Sequence, residues 1–587
     1  MSAPQTAPAD AARPCSPANA PVLAAVCWST TAVLAAFLCF TQLGMMLSLM
    51  AGRVGISAAA PAALVLALLA GDILAWRSGL SPRQRLWPAG LALGAIAFAL
   101  AVAAWYFDLS WDGQWYHQTA IYALARDWNP LTDPMRGFLT HLELWVRHYA
   151  KGPWYVAAAI YDTTGQIEWG KCTAPIAWAA MSLAVFAAGL DYGLRRRHAA
   201  ALALVTGLNP VVWCEFTSYL VDGIMIGFLT VAVAALFSGF RRPQPVVVWA
   251  GALASAVSIN AKFTGLVFLC FVFAAGGLWC LFRHRGWLRT YAGWTILTLL
   301  LGAGGLGYNP YATNYIHRGQ PFYPVLGSRA YPSLTAQGRE GIELYETPKN
   351  LMGRNRFIRF FYATFGRPGN QPYRREPNAQ LMWPFTARPA DLFYYRYHEV
   401  RVAGFGPFFS GALLLSLGLG VWLLWQPTVA RGALILTALT IPASLFISLH
   451  LWWPRYGPQL WLLPIVPLAF AFYGARSRWL RWAAWLLLAL LVVNAGIVAA
   501  VRMAWETDAT RTLERQLTEL GRSEQPIEIN LRYFEIPVEE RLKTWGVPYR
   551  KVSRNLRNAT ELKSVVEGYP GAVRYVRSNP DAGIPAK

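Results

Sequence analysis

The sequence is poor in charge and in cysteines that could act together. Charged residues make up 14% of its 587 residues, against 55% hydrophobic ones, whereas soluble domains carry about 25% charged residues. The seven cysteines are scattered, form no CxxC pair and do not occur after Cys280, which argues against a disulfide framework and a zinc site. The scarcity of charge indicates a chain that lies largely in lipid.

Acidic residues are scarcer than basic ones: 30 Asp and Glu face 52 Lys and Arg, and the net charge is +22. In a soluble protein this balance would suggest a nucleic-acid partner. Here many basic residues lie in short segments between apolar runs, where they set the orientation of a membrane protein. We therefore expect membrane lipids as partners, and no nucleic acid.

The amino terminus lacks the basic start of a signal peptide. Residues 1–20 are rich in Ala and Pro with one arginine, Arg13, and predict a disordered cytoplasmic tail. Residues 21–501 are the predicted membrane domain, because about 20 apolar residues cross the hydrocarbon layer. Its thirteen candidate transmembrane helices are 22–44, 57–76, 88–107, 171–190, 199–213, 221–240, 246–261, 264–282, 290–308, 402–425, 431–450, 456–474 and 482–501.

Arginine clusters follow the second, fourth, sixth, eighth and twelfth of these runs. All of them fall on one side of the membrane, which is therefore predicted to be cytoplasmic. The chain is then predicted to cross the bacterial inner (plasma) membrane with its amino terminus in the cytoplasm and its carboxyl terminus in the periplasm. The predicted outer loops are 108–170 and 309–401. The clusters are Arg77, Arg83 and Arg85; Arg195 to Arg197; Arg241 and Arg242; Arg283, Arg285 and Arg289; and Arg476, Arg478 and Arg481.

The tail, residues 502–587, alternates helical and strand patterns. Such alternation predicts a small periplasmic α/β domain, and no pattern in it indicates catalysis. The predicted helices are 508–521, 538–546 and 559–569, and the predicted strands are 527–534, 549–553 and 572–578.

Four ionisable residues lie at ends of the apolar runs: Asp112, Asp222, Lys262 and Arg455. Such groups cost about 2.5 kcal/mol or more at a helix centre, and the predicted topology places all four at the outer surface. Together they could deprotonate a hydroxyl and hold a phosphate, since a carboxylate can take a proton and fixed cations stabilise a departing phosphate. The alternative is a set of helix caps and ion pairs.

Five segments between residues 88 and 475 resemble the GT-C glycosyltransferases. The nearest likeness is to the branch of protein O-mannosyltransferases and the lipid A aminoarabinose transferase, which take a sugar from a polyprenyl phosphate and transfer it outside the membrane. The segments are "WDGQWYHQTA", "YAKGPWYVAAAIYDTTGQIEWGKCTAPIAWAAMSLAV", "SYLVDGIMIGFL", "NAKFTGLVFL" and "WPRYGPQLWLLPIVPLAF".

The resemblance implies roles for individual residues. Asp112 matches the family's base and Lys151 the lysine that contacts donor phosphate; Asp222, Lys262 and the pair Arg455 and Tyr456 match later elements. Gly113 stands where the family has a glutamate, and two apolar runs precede the motif where many relatives have one. The second difference suggests a subfamily whose acceptor the sequence does not identify.

The implied reaction is a single inverting displacement on a polyprenyl-phosphate sugar by a hydroxyl of a glycolipid, polysaccharide or protein. Asp112 is the expected base, and Asp222 is expected to orient acceptor or sugar. Because phosphate is a good leaving group, the reaction requires no metal or other cofactor, although relatives with pyrophosphate donors use a divalent cation. Further phosphate contacts are predicted at Arg354, Arg356 and Arg359, and sugar or acceptor contacts at Asp108, Trp111, Gln114, Trp115, Tyr116, His117 and Tyr456.

Simpler interpretations stay open for several of these residues. Asp108 can cap the preceding run, and the aromatics can form an interfacial belt. His117 and His141 can make surface hydrogen bonds. The arginines of "NLMGRNRFIRFFYATFG" can belong to a basic helix on anionic lipid.

Two other functions remain alternatives. An O-antigen polymerase or ligase also joins lipid-linked glycans through a long arginine-rich outer loop. A transporter or flippase for lipid-linked sugars would show internal repeats and interrupted spans at mid-membrane, whereas the ionisable residues here gather at one face.

Overall fold

A computed structural model describes residues 20–132, 143–334, 336, 346–369, 378–448, 450–531, 534–553, 556, 559–562 and 573–577. The chain is an α-helical polytopic membrane protein with a small α/β unit at its carboxyl end. The predicted tail 1–20, apart from Ala20, and His141 lie outside the described residues.

In the described part of the chain, twenty α-helices precede the carboxyl-terminal sheet. They are α1 (Ala20–Met50), α2 (Ile56–Arg77), α3 (Pro82–Trp105), α4 (Gln118–Arg126), α5 (Glu143–His148), α6 (Gly152–Thr164), α7 (Thr173–Asp191), α8 (Arg196–Gly207), α9 (Pro210–Cys214), α10 (Asp222–Arg241), α11 (Pro245–Ala261), α12 (Phe263–Arg283), α13 (Leu288–Leu299), α14 (Thr313–Arg318), α15 (Arg356–Phe365), α16 (Pro389–Leu392), α17 (Phe409–Leu424), α18 (Arg431–Leu445), α19 (Leu462–Gly474) and α20 (Arg478–Gly521).

Seven helical segments in the described part of the chain have the length and apolarity to cross a membrane. Four further apolar helices are shorter: Pro245–Ala261, Phe409–Leu424, Arg431–Leu445 and Pro458–Gly474. The seven are Ala20–Met50, Ile56–Arg77, Pro82–Trp105, Ile167–Asp191, Asp222–Arg241, Phe263–Arg283 and Arg478–Gly521.

Each of the thirteen predicted runs contains helix in the described residues, and two of the runs are interrupted. Run 199–213 is divided because Asn209 caps a new helix at Pro210, accepting a hydrogen bond from Val211 N at 3.0 Å. Run 290–308 leaves α-helical geometry for a π-helical segment over the glycine-rich Leu300–Leu306. Proline at a first helical position and glycine within a helix both favour such interruptions.

Helix α1 lies at the centre of the bundle and packs against α2, α7 and α11. Its alanines let neighbouring helices approach closely, and on α2 a Cβ at Gly71 would lie 2.1 Å from Val33 Cγ2. Trp28 Nε1 donates a hydrogen bond to Asp191 Oδ2 at 2.8 Å, so that a buried polar pair joins α1 to α7. Small residues at helix interfaces are the usual means of packing inside membranes.

The carboxyl-terminal unit has a four-stranded sheet with strand order β2-β1-β4-β3. Helix α21 (Glu535–Thr544) connects β1 (Ile527–Asn530) to the parallel β2 (Tyr549–Lys551), while β4 (Arg574–Arg577) pairs antiparallel with β1 and with β3 (Thr560–Glu561). The α/β prediction is confirmed. The helix predicted at 559–569 is wrong where it begins, because Thr560 and Glu561 pair with Tyr575 and Arg574.

The predicted boundary between residues 501 and 502 falls inside one continuous helix. α20 runs for 44 residues, from the bundle into the carboxyl-terminal unit. Its last turns bury Leu513, Leu517 and Leu520 against Ile527 and Ile529 of β1. The helix therefore belongs to both parts of the molecule.

Gly265 should be intolerant of a side chain. An added Cβ would lie 2.1 Å from the carbonyl oxygen of Ser258, where α11 turns into α12. We expect Gly265→Ala to destabilise the protein by about 1–3 kcal/mol, the usual effect of overpacking, and to lower its thermal unfolding midpoint in detergent. Gly94→Ala is the matched control because a Cβ there meets nothing within 4 Å. Equal midpoints for the two variants would contradict the expectation.

Candidate active site

Three carboxylates from different parts of the chain meet the guanidinium of Arg455. Its Nη2 lies 2.9 Å from Asp112 Oδ2, its Nε lies 3.1 Å from Asp222 Oδ2, and its Nη1 contacts Glu399 Oε1. Each guanidinium nitrogen therefore binds a different acid. A planar group with five N–H donors in a fixed arrangement is suited to this, and a lysine is not.

Lys262 extends the cluster from a second side. Its Nζ donates to Asp222 Oδ1 at 2.5 Å and lies 4.7 Å from the centre of the Tyr456 ring. The residue is in extended conformation between α11 and α12, and this break turns its side chain out of both helices. Since Lys262 and Arg455 take one oxygen each, both oxygens of Asp222 are bound.

Asp222 is the first residue of α10, and Glu215 holds the start of that helix. Glu215 Oε2 accepts a hydrogen bond from Gly223 N at 2.6 Å. Burial raises the pKa of the Glu215 carboxyl well above its usual value, and the charge of Asp222 raises it further. Burial thus favours the neutral form of Glu215. When the three carboxylates that contact Arg455 are all ionised, they exceed the two cations Arg455 and Lys262 by one charge.

Asp112 is held in place by Asp108. Asp108 Oδ1 accepts from Ser110 N at 2.8 Å and from Ser110 Oγ at 2.7 Å, while Oδ2 accepts from Tyr219 N at 2.9 Å. Burial raises the pKa of Asp108, but its oxygens are occupied by the loop. Asp108 thus anchors the segment after α3 to the approach to α10, and its predicted contact with sugar or acceptor stays a prediction.

Gly113 fits beside this anchor because it has no side chain. A Cβ at Gly113 would lie 2.0 Å from Asp108 Oδ2 and 2.3 Å from Ser110 Oγ. A glutamate at this position would displace the loop. The difference from the family motif therefore has a steric cause in this chain.

His117 and Tyr116 lie in the π-helical turn Gly113–His117, directly after Asp112. His117 is buried, and its Nδ1 accepts a hydrogen bond from Trp154 Nε1 at 2.6 Å. Burial lowers the pKa of His117 to about 3, so the imidazole is neutral. The alternative of a surface hydrogen bond is wrong for this residue, because its ring is inside the protein.

The aromatic residues of this segment divide between two surroundings. Tyr116 packs against His117, with ring centres 4.3 Å apart. Trp111 packs edge to face against Phe534 of the carboxyl-terminal unit at 4.7 Å, and Trp115 contacts both the bundle core and that unit. Trp111 and Trp115 therefore join domains, and a lipid-facing belt does not describe them.

The carboxyl-terminal unit reaches the site through Arg541. Its Nη2 lies 3.0 Å from Glu168 Oε1, and its Nη1 donates to Gln114 Oε1 at 3.2 Å. Gln114 is two residues beyond Asp112 and fully buried. The carboxyl-terminal unit therefore supports the turn that carries Asp112.

Lys151 contacts backbone oxygens, and its predicted role as a phosphate ligand stays a prediction. The side chain is buried, and Nζ donates to the carbonyl oxygens of Arg147 and Tyr149, both at 2.8 Å. Burial lowers the pKa of its ammonium group well below the usual value. Within the described residues, no ion pair joins Lys151 to an acid. Through these contacts the ammonium group binds the chain at the end of α5, and the side chain does not join the acids that contact Arg455.

The arginines of the loop after residue 309 lie on and beside α15. The predicted helix is present, with Asn355 as its cap and Ile358 and Tyr362 packed near Trp453 and Tyr456. The three arginines predicted to bind phosphate differ in their surroundings. Arg354 is exposed, Arg356 donates to the carbonyl oxygen of Phe446 at 2.6 Å, and Arg359 is buried. No ion pair between them and the Arg455 cluster is found in the described part of the chain.

A second buried network of charged residues is centred on Arg502. Arg502 of α20 contacts Glu506, His398 and the carbonyl oxygen of Arg396, and Thr217 donates to Glu506 Oε1 at 3.1 Å. His398 adjoins Glu399 in the chain. The long helix therefore braces both the loop that carries Glu399 and the segment that precedes Asp222.

Sequence reasoning missed Glu399, Glu215 and Arg541. Glu399 lies in "RYHEVR", just before the predicted run 402–425, and Glu215 lies between two predicted runs. Their positions at run ends were signals that could have found both acids, whereas no such signal marks Arg541. No group of three or more His, Cys, Asp or Glu side chains among the described residues is arranged to hold a metal ion.

Comparison with solved structures finds a likeness of low sequence identity. No protein-family model matches the chain, and no curated protein matches it. It is similar to the crystal structure of ArnT from Cupriavidus metallidurans in the apo state, with 15% identity and a TM-score of 0.38 over 79% of this chain and 86% of that one. ArnT is in the branch that the sequence motifs resemble. At this TM-score the likeness carries no argument about the reaction.

Replacing Arg455 should leave three carboxylates without their shared cation. Because breaking a buried ion pair costs about 3–5 kcal/mol, we expect Arg455→Gln to lower the thermal midpoint strongly at about pH 8 and less at about pH 5. The unpaired acids then have raised pKa values in the folded state, so the folded variant gains stability as they take up protons.

The control for this prediction is Arg126→Gln. Arg126 pairs with Glu540, but its side chain is 47% exposed, and such pairs contribute about 0–1 kcal/mol. If Arg455→Gln and the control had the same thermal midpoint at both pH values, the ion pairs of Arg455 would not stabilise the cluster.

Proposed function

We propose that this protein is a GT-C glycosyltransferase that moves a sugar from a polyprenyl phosphate to a hydroxyl acceptor at the outer face of the membrane, with inversion at the anomeric carbon. The observation that supports it is the ion-pair cluster itself. Asp112, Asp222, Lys262 and Arg455 come from four distant segments and contact one another at one end of the bundle. Isolated helix caps would not converge in this way.

Asp112 is proposed as the base because it is the most exposed acid of the cluster. Its side chain is 20% exposed, against 9% for Glu399 and 0% for Asp222. Arg455 binds Oδ2, and we assign Oδ1 to the acceptor. The acceptor proton moves to Asp112 as the acceptor oxygen bonds to the anomeric carbon, and the bond from that carbon to the phosphate oxygen breaks with its electron pair.

Lys262 and Arg455 are proposed to stabilise the departing phosphate. Fixed cations in a partly buried site stabilise developing charge without having to reorganise. Lys262 is 16% exposed, and Arg455 keeps two of its five N–H groups beyond the three contacts described. Asp222 is fully buried with both oxygens bound, so we assign it to positioning these two cations, not to orienting the acceptor or sugar.

Orientation follows from the ends of the helices. α10 and α12 begin at the cluster and end at Arg241 and Arg283, and α20 begins at Arg478 and ends beyond the cluster. If the arginine-rich ends face the cytoplasm, the cluster and the carboxyl-terminal unit are periplasmic. Exposed Phe357 and Phe361 on α15 would then meet lipid on the donor's side.

The test is transfer by purified protein in detergent from a panel of radiolabelled polyprenyl-phosphate sugars, with a membrane extract as acceptor. We expect Asp112→Asn to reduce transfer by about 10²–10⁴-fold, the usual contribution of a general base. Asp127→Asn is the control, since this acid is exposed and lies in the same outer segment, at the end of α4.

Two results would contradict the proposal. Full transfer by a folded Asp112→Asn protein would show that Asp112 is not the base. Absence of transfer by the wild-type protein from every monosaccharide donor would favour a polymerase, a ligase or a flippase.

A further inference from the structure

We propose that Glu399 takes up a proton when a phosphodiester binds beside Arg455, so that the donor's phosphate enters without adding negative charge to the cluster. The inference rests on the proposed function, because it concerns the phosphate that leaves with the lipid. It gives Glu399 the role of a positioning residue that acts through Arg455.

The geometry creates the need for such a proton. Asp112, Asp222 and Glu399 each occupy one nitrogen of Arg455, and the only other cation in contact with these acids is Lys262, among the described residues. The cluster already has one negative charge in excess. A phosphodiester adds another, and like charges in a partly buried site repel strongly.

Glu399 is the acid best able to relieve this repulsion. Asp222 is bound by two cations, and Asp112 must stay ionised to act as base. The ion pair of Glu399 is with Nη1 of Arg455. When Glu399 becomes neutral it releases much of its hold on that nitrogen, which a phosphate oxygen can then share. Arg455 thus exchanges one anionic partner for another.

The surroundings of Glu399 make protonation easy near neutral pH. Burial raises the pKa of its carboxyl to about 7, Arg455 and Arg401 oppose the rise, and Asp112 and Glu346 add to it. Arg401 is itself paired with Glu346 at 2.8 Å. The neighbouring His398 is neutral, because burial lowers its pKa well below the usual value. The more distant charges of the cluster are Asp222 and Lys262.

Binding of a phosphodiester and protonation of Glu399 should favour each other. A bound phosphate raises the pKa of Glu399 further, so above about pH 7 each binding event takes up as much as one proton. Affinity should then fall up to about tenfold per pH unit. Below about pH 7 Glu399 already holds its proton, and affinity should be nearly independent of pH.

The probe is farnesyl methyl phosphate, a prenyl phosphodiester with one fixed charge and no titration of its own in this range. Calorimetric titration at about pH 8, in two buffers of different ionisation enthalpy, measures the protons taken up on binding. We expect uptake approaching one proton for the wild-type protein. Glu399→Gln should bind without uptake, with an affinity that stays flat from about pH 6 to 9.

Glu346→Gln is the matched control. It removes a neighbouring carboxylate that pairs with Arg401 and not with Arg455, and it should retain most of the proton uptake. Farnesol, which lacks the phosphate, should cause no uptake in any of the proteins. A merely structural role for Glu399 would change stability and leave the proton count unaltered.

The outcomes separate the two proposals. Binding to the wild-type protein without proton uptake would overturn the role of Glu399, and this measurement needs no variant to fold. Equal uptake by wild type and Glu399→Gln would overturn it as well. No binding of the phosphodiester by any of the proteins would remove the phosphate site, and with it the proposed function.

Discussion

The contacts of Arg455 are the constraint on which the rest of the site depends. Three acids lie close together in a region of little water, and they can do so only because one guanidinium binds all three. Charges removed from water require partners with good geometry. Asp222 begins α10 and Lys262 lies between α11 and α12 at this end of the bundle, so helix packing and the ion-pair cluster depend on each other.

The sequence allowed prediction of the features that depend on local composition. Long apolar runs predicted the helices, and the charges of Asp112, Asp222, Lys262 and Arg455 stood out because they interrupt such runs. Glu399 did not stand out in this way, since it lies among other charged residues in "RYHEVR" and only tertiary contact places it on Arg455. The contacts of Lys151 could not be predicted from its motif either. The motif suggests a phosphate ligand, and the structure adds that the ammonium group binds the backbone carbonyl oxygens of Arg147 and Tyr149.

The interruptions within the predicted runs could not be predicted for a related reason. Apolar composition indicates that a segment can lie in lipid, but it does not indicate that the segment forms one continuous helix. Asn209 and Pro210 interrupt one apolar run, and the glycines of Leu300–Leu306 interrupt another. Gly113 is the counterpart within the site. Read from the motif alone it is a lost glutamate, whereas beside Asp108 it is the one residue without a clash. Local pattern predicted the elements, and the contacts between them determined the exceptions.

The continuous helix α20 fixes the angular position of the carboxyl-terminal unit. Glu506 is bound within the bundle, and Gly521 lies fifteen residues further along the same helix, just before β1. A helix turns about 100° per residue. Inserting one residue between these points would swing Arg541 around the helix axis and away from Glu168 and Gln114. The number of residues in this stretch is therefore as constrained as the identity of the charged groups, and a length change would uncouple the unit from the turn that carries Asp112 without altering a single site residue.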